Sequence, residues 1–392
     1  MTVYNKIRGT KLMKDSGLRV GFPIGAVFFG SLVGPSMVSG IYSKVYLVPY
    51  GMWGFVFALF FPLISSVIIG FSAELVRRNG VYDYNSFCHV LYGKFSFICS
   101  PVMEIYMLMA QILTLSAVVT MGGSMLETIS GIPEILGSLI FAALCLLLVL
   151  WGAELIRRAA TAMCVILMIG FCILVGLSVD ARSDIFTDMV TSWYVPDNAD
   201  MGNGFRNAIL FGFSGACNGM VLCSLMQKVK TMKHSFCTGL WCFILTSIVL
   251  IMEVLVILPY MPDVMLAEIP TLYIVDKWLV MKFSWLPAMY HIVMTFALIT
   301  SGVPANQAII SRFMKIMPGR KFSDDSAVSK ALIGLCFLLV VMLVSRLGLT
   351  TIVSKGYSSL GLVGIPLIFI PTCIIMPVKL YILTKRNQRI DR

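Results

Sequence analysis

Charge is scarce in this chain. Only 12% of its 392 residues are Asp, Glu, Lys or Arg, against about 25% in soluble domains. So few charges cannot cover a chain of this length in water, which excludes an ordinary soluble globule. Histidine is scarcer still. His89, His234 and His291 are far apart, and no two of them share the spacing of metal ligands. The 11 cysteines form no C-x-x-C pair. Most, including Cys145, Cys164, Cys172, Cys336 and Cys373, lie in apolar stretches, so we expect buried free thiols rather than disulfides or a metal centre. A phosphate-cradling Gly-Lys-Ser/Thr loop and a nucleophile elbow are also missing. No catalytic residue is expected, and no cofactor beyond a coupling ion; the chain does not read as an enzyme. Met1 to Arg19 is polar and basic, and the apolar stretch after it has no small-residue cleavage site. A cleaved signal peptide is therefore not predicted.

What is present is apolar. Hydrophobic residues make up 58% of the chain, and the mean hydropathy is +0.91. We read ten apolar segments at about 20–48, 52–76, 95–126, 135–152, 160–179, 205–226, 236–260, 284–314, 330–346 and 351–381. About 20 residues of helix cross a bilayer, so the expected fold class is an all-α polytopic membrane protein of about ten transmembrane helices.

Basic residues alternate by side along this segmentation. All but seven of the 30 fall in one set of connections, beginning with Lys6, Arg8, Lys11, Lys14 and Arg19. The seven are Lys44, Arg182, Arg206, Lys277, Lys282, Arg346 and Lys355. The positive-inside rule places the richer set in the cytoplasm. The expected location is thus the cell membrane, multi-pass, with both termini cytoplasmic. The net charge of +11 is then a topology signal with some attraction to anionic lipid, and nucleic acid is not an expected partner. The expected partners are the lipid bilayer and a small-molecule solute. The oligomeric state is not legible.

Two segments are broken. Gly30-Ser31-Leu32-Val33-Gly34-Pro35-Ser36-Met37-Val38-Ser39-Gly40 interrupts the first. Phe211-Gly212-Phe213-Ser214-Gly215-Ala216-Cys217-Asn218-Gly219 interrupts the sixth. Glycine and proline unwind helix, and hydrocarbon cannot satisfy the freed N–H and C=O groups. Breaks at corresponding places in two halves point to a secondary transporter's binding site. Unusually long third and eighth segments strengthen the pairing. The reading is a five-plus-five inverted repeat with broken helices 1 and 6. Its domains are a tail at 1–19, one transmembrane domain at 20–381 (repeats at about 20–179 and 205–381), and a tail at 382–392. Half-helix ends present partial charges, and Ser36, Ser39, Ser214 and Asn218 add polar contacts. The candidate solute-binding residues are Gly34, Ser36, Ser39, Phe213, Ser214 and Asn218, with Gln111 nearby. A plain packing kink lined by small residues is the competing reading.

The order of elements resembles the LeuT-type fold of the amino acid–polyamine–organocation superfamily. Gly30 to Gly34 resembles its glycine-rich unwound first helix. Gly34 through Ser39-Gly40 is similar to the first-helix motif of the YkvI family of bacterial membrane proteins. Ile41-Tyr42 departs from that pattern, which continues with a polar and an acidic residue. The resemblance implies alternating-access transport of a small amino-acid-like or amine solute with Na+ symport. In LeuT-type sodium symporters a cation sits between helices 1 and 8. Carried over, Gly30 and Val33 carbonyls would join Ala297, Thr300 and Ser301. Positions i, i+3 and i+4 share one helix face, although hydroxyls in membrane helices also back-bond to their own helix. The superfamily also includes ligand-sensing subunits of germinant receptors, which is the alternative from another class.

Intramembrane acids are costly and so functional by default. Glu104, in the third segment, is the candidate proton site if coupling is to H+; a dipole-stabilised position in the first turn after Pro101 is its structural alternative. Glu253, in the outer half of the seventh segment, could pair or face a vestibule. Glu74 and Glu154 stand beside arginines and read as structural. The stretch from Asn79 to Lys94 reads as an amphipathic helix or loop, and Pro262 to Lys282 as a short helical hairpin.

Overall fold

The ten apolar stretches are helical over the parts that the computed structural model describes, which are residues 17–32, 38–151, 153–215, 222–316 and 327–378. The first is split into α1 (Gly17–Leu32) and the short α2 (Ile41–Tyr46). It is followed by α3 (Trp53–Asn79), the amphipathic α4 (Tyr84–Tyr92), α5 (Ser96–Ser130), α6 (Glu134–Trp151) and α7 (Ala153–Ala181). The second half comprises α8 (Ser183–Thr191), α9 (Met201–Gly215), a 3-10 turn at Leu222–Lys228, α10 (Met232–Ile257), α11 (Leu286–Ile316), α12 (Ala327–Ser345) and α13 (Leu349–Val378). Six of these helices are each long and apolar enough to cross a membrane. Others are shorter or broken. The chain is a polytopic α-helical membrane protein.

Local sequence sets the ends. The Thr231 hydroxyl accepts from the His234 N–H at 3.2 Å and opens α10. The Asp83 carboxylate accepts from the Ser86 N–H at 2.9 Å and opens α4. Both satisfy donors that a helix start leaves free. The expected helical hairpin at 262–282 is present as a 3-10 turn (Asp263–Leu266), an α turn (Pro270–Ile274) and a π turn (Val275–Leu279). The acidic connection after α7 is itself partly helical. It forms α8, which bends away by 84°. Its first-turn Asp184 favours a helix start. The last segment carries two π-helical stretches, Ile352–Tyr357 and Ile365–Ile375. Pro366 and Pro371 in the second cannot donate to the i→i−4 ladder.

Helices in lipid gain little from burying apolar surface against each other, so association rests on close backbone approach. α10 shows this on two sides. A Cβ added at Gly21 of α1 would lie 2.7 Å from the Cys237 carbonyl carbon, and one at Gly239 would lie 2.8 Å from the Ser66 carbonyl oxygen of α3. α10 is therefore clamped between α1 and α3. The charge pattern is matched in space. At one end Lys282 pairs with Asp180 at 2.6 Å, Lys44 donates to the Ala267 carbonyl at 2.6 Å, and Arg182 donates to the Pro259 carbonyl at 3.0 Å. We call this the acidic end. At the other, basic end, Glu74 accepts from Arg77, Arg78 and Ser235, as its structural reading expected. The free cysteines depart in part from expectation. Cys88, Cys145, Cys223, Cys237 and Cys242 are buried, but Cys172 and Cys336 are exposed on outer helix faces. Lipid, rather than protein, suits an apolar thiol there.

Candidate functional site

Among the described residues, the first segment is out of helix at Ser39-Gly40. Gly40 has φ +77°, a left-handed conformation in which a side chain is strained. α2 restarts directly after it. α9, in the sixth segment, is described over Met201–Gly215, and the rest of the predicted interruption, 216–219, lies outside the described residues. The restart of the first segment meets α9 through aromatic rings. Tyr42 of α2 lies 4.5 Å from the Phe211 ring of α9, Tyr46 stacks on Phe211 at 4.5 Å, and Phe61 of α3 stacks on its other side at 4.1 Å. Phe211 is thus sandwiched, which fixes α2 against α9. The Ser65 hydroxyl donates to the Gly212 carbonyl at 2.7 Å, tying α3 to α9.

α13 closes the junction. A Cβ at Gly361 would collide with the Leu210 carbonyl oxygen, and one at Gly364 would meet the Phe213 carbonyl oxygen and the Tyr106 hydroxyl, both at 3.1 Å. Tyr357 of α13 contacts the Tyr42 ring at 5.8 Å, and its hydroxyl is 3.4 Å from Thr114 of α5. Tyr106 and Thr114 bracket Gln111 on α5. The broken helices, α5 and α13 therefore converge on one region rich in tyrosine hydroxyls. Such groups can hydrogen-bond a solute while their rings pack its apolar part.

The predicted residues are distributed as follows. Gly34, Ser36, Val33 and Asn218 lie outside the described residues. Ser39 is fully buried; its hydroxyl accepts from the Ile41 N–H at 3.3 Å, and its carbonyl accepts from Thr271 N–H of the hairpin at 3.0 Å. Ser39 therefore ties the break to the hairpin. The Ser214 hydroxyl donates to the Phe211 carbonyl at 2.7 Å, and Phe213 packs edge-on against Phe369 at 4.8 Å. Gln111 is half-buried. On α11, Ala297 is fully buried and the Thr300 hydroxyl donates to the Ala297 carbonyl at 3.0 Å; Thr300 and Ser301 are half-buried. The interruption starts later than the sequence suggests: Gly30 remains helical, in the last turn of α1, where carbonyls lack intrahelical partners. Glu104 is ion-paired with Arg312 of α11, whose guanidinium also lies over the Tyr84 ring at 5.3 Å.

Sequence reasoning missed Tyr42, Tyr106, Phe211 and Tyr357 as neighbours of the break. Tyr42 and Tyr46 are spaced i, i+4 on a helix of one and a half turns, which was a usable signal. Among the described residues, no group of three or more His, Cys, Asp or Glu could hold a metal ion.

The acidic end is bridged above this junction. The Tyr46 hydroxyl donates to the Val353 carbonyl at 2.6 Å, joining α2 to α13. Glu268 of the hairpin accepts from the Leu349 N–H at 3.2 Å. Asp276, half-buried in the hairpin, is held above the usual carboxylate range by burial, opposed by His291 at 3.8 Å.

No protein-family model and no curated protein matches the chain. Solved structures do. The fold is similar to a Na+-coupled sialic acid symporter in its substrate-bound, outward-open state, with a TM-score of 0.60 and 14% identity over 90% of this chain and 79% of that one. It is similar to a manganese transporter of Eremococcus coleocola at TM-score 0.54 and 11% identity, covering 92% of this chain and 79% of that one. Mhp1 in an inward-facing conformation gives 0.50 and 11%, covering 90% and 75%. These likenesses establish the LeuT-type fold for this chain.

Proposed function

We propose that the protein is a secondary active transporter. In this reading it carries a small amino-acid-like or amine solute by alternating access, coupled to Na+, across the cell membrane with both termini in the cytoplasm. The observation that supports it most is the meeting of the first-helix break at Gly40 with α9 of the sixth segment, against α5 and α13. Interrupted helices present backbone dipoles at the middle of the membrane, where only a bound polar ligand or ion gives them a use. The fold is shared with solved transporters, one of them Na+-coupled by its own description.

The solute would sit between Ser39, Gln111, Phe213 and Ser214, with Gly34, Ser36 and Asn218 completing the site. The cation site is proposed at the Gly30 and Val33 carbonyls with Ala297, Thr300 and Ser301. Neutral oxygens suit a monovalent cation that must also be released. Glu104 already has a cationic partner in Arg312, which favours Na+ over proton coupling at that residue.

The test is ligand binding by purified protein across a panel of amino acids and amines, with and without Na+. Binding that requires Na+, lost in a Thr300→Ala/Ser301→Ala variant and kept in Glu104→Gln, is expected. Binding that is indifferent to Na+ but loses its pH dependence in Glu104→Gln would overturn the sodium assignment.

A further inference from the structure

Glu253 sits in the outer half of α10 and is completely buried, and neither of its carboxylate oxygens has a hydrogen-bond partner among the described residues. The surroundings explain the isolation. The Ser43 main-chain N–H of α2 faces it without completing a hydrogen bond. The Ser43 hydroxyl is likewise buried and has no partner among the described residues. From α11 comes Tyr290, also buried, whose hydroxyl donates to the Val38 carbonyl at 2.9 Å. From the hairpin comes Thr271, whose hydroxyl would lie 2.6 Å from a Cβ at Gly40.

Cations are close in the fold but engaged elsewhere. Lys44 of α2 donates to Ala267; Arg182 of α7 donates to Pro259 and lies over the Trp278 ring at 3.9 Å; Lys277 donates to the Tyr273 hydroxyl at 2.7 Å; and Lys282 pairs with Asp180. Other charged or acidic groups of the surrounding elements are Asp276 and Glu268 of the hairpin, with its exposed Asp263, and His291 and Arg312 of α11, the last paired with Glu104. The first faces His291, and the second accepts from Leu349. The charged groups of α1 and α3, Arg19, Glu74, Arg77 and Arg78, belong to the basic end. Among the described residues, an anion in this position would have no counter-ion and at most the Ser43 main-chain N–H as a donor, which an apolar interior does not tolerate.

We propose that Glu253 is a proton-binding site, occupied while the hairpin covers α2 and emptied to water when the hairpin lifts from Ser39 and Gly40. The step makes and breaks a single O–H bond. A proton from water binds one carboxylate oxygen to give the neutral acid, and it returns to water on opening. The Thr271-to-Ser39 hydrogen bond links the cover to the first-helix break, so proton occupancy and the shape of the break change together. This deepens the transporter reading, on which it rests, by assigning a proton to the same cycle at a place remote from the α11 cation set.

Infrared spectroscopy of the intact protein in detergent tests it without any transport assay. At neutral pH the unmodified protein should show a protonated-carboxyl C=O band that shifts slowly in D2O. Glu253→Gln should lose that band, Asp276→Asn should keep it, and Glu253→Asp should retain a displaced one. Persistence of the band in Glu253→Gln with its loss in Asp276→Asn would overturn the proposal and move the proton to the hairpin. No protonated-carboxyl band in the unmodified protein would overturn it too, and needs no variant to fold. A band assigned to Glu253 in a protein that moves no solute would refute the transporter reading and leave the proton site standing.

Discussion

Gly40 is where a single residue decides the shape of the first helix break. Its φ of +77° strains any side chain, and an added Cβ would lie 2.5 Å from Ile257 Cδ1 and 2.6 Å from the Thr271 hydroxyl. Gly40→Ala is therefore expected to cost about 1–3 kcal/mol of stability, read as a lower Tm in detergent; an unchanged Tm would contradict the placement. Asp83 is the residue with a clear pH signature. The Ser86 backbone N–H holds its carboxylate below the usual range. A depressed folded value means the cap stabilises α4 above the unfolded-chain pKa and loses that contribution as pH falls through the folded value. Amide exchange over 84–92 should therefore quicken on acidification through that range. Asp83→Asn, which keeps an acceptor without the charge, should lack the acid-dependent step. A pH-independent exchange pattern in the unmodified protein would go against this.

At the scale of elements, the Phe211 sandwich holds α2, α3 and α9 together. Phe211→Ala should cost about 3–5 kcal/mol, the usual range for truncating a buried aromatic, with α2 loosening first in amide exchange. A loss under 1 kcal/mol, on the scale of an ordinary surface substitution, would mean that the rings are not the clamp. Much of this level was legible beforehand. Ten apolar runs, the Gly/Ser clusters and the alternation of basic connections follow from composition and spacing, which is why segment order and the two ends agree with the structure. Partnerships across the fold were not legible. Nothing near Glu104 in the chain names Arg312, 208 positions away, and nothing near Glu253 says that Lys44 and Arg182 are engaged elsewhere. The aromatic junction was missed because Tyr42, Phe211 and Tyr357 look like any core residue until the breaks place them side by side. Gly30 was read as unwound because glycine weakens helices, yet α1 continues through Leu32, supported by close packing of Gly21 and Gly25 on α10.

For the whole molecule, the separation of acidic and basic ends makes a topological prediction. A reporter cysteine at Asp188 or Asp197, in a background without the native cysteines, should react with an impermeant reagent from outside the cell, because the positive-inside rule puts the basic end in the cytoplasm. Labelling only from the cytoplasmic side would invert the account. The central claim is larger, that the junction of the two breaks carries a solute across the membrane rather than sensing it. Solute counterflow in proteoliposomes tests this most directly, using a radiolabelled solute identified by the binding panel. With unlabelled solute trapped inside and Na+ on both sides, labelled solute should accumulate transiently above equilibrium, and Gly40→Ala should reduce the accumulation. Saturable, specific binding with no counterflow at any Na+ concentration would contradict transport and leave a ligand-sensing membrane protein in its place.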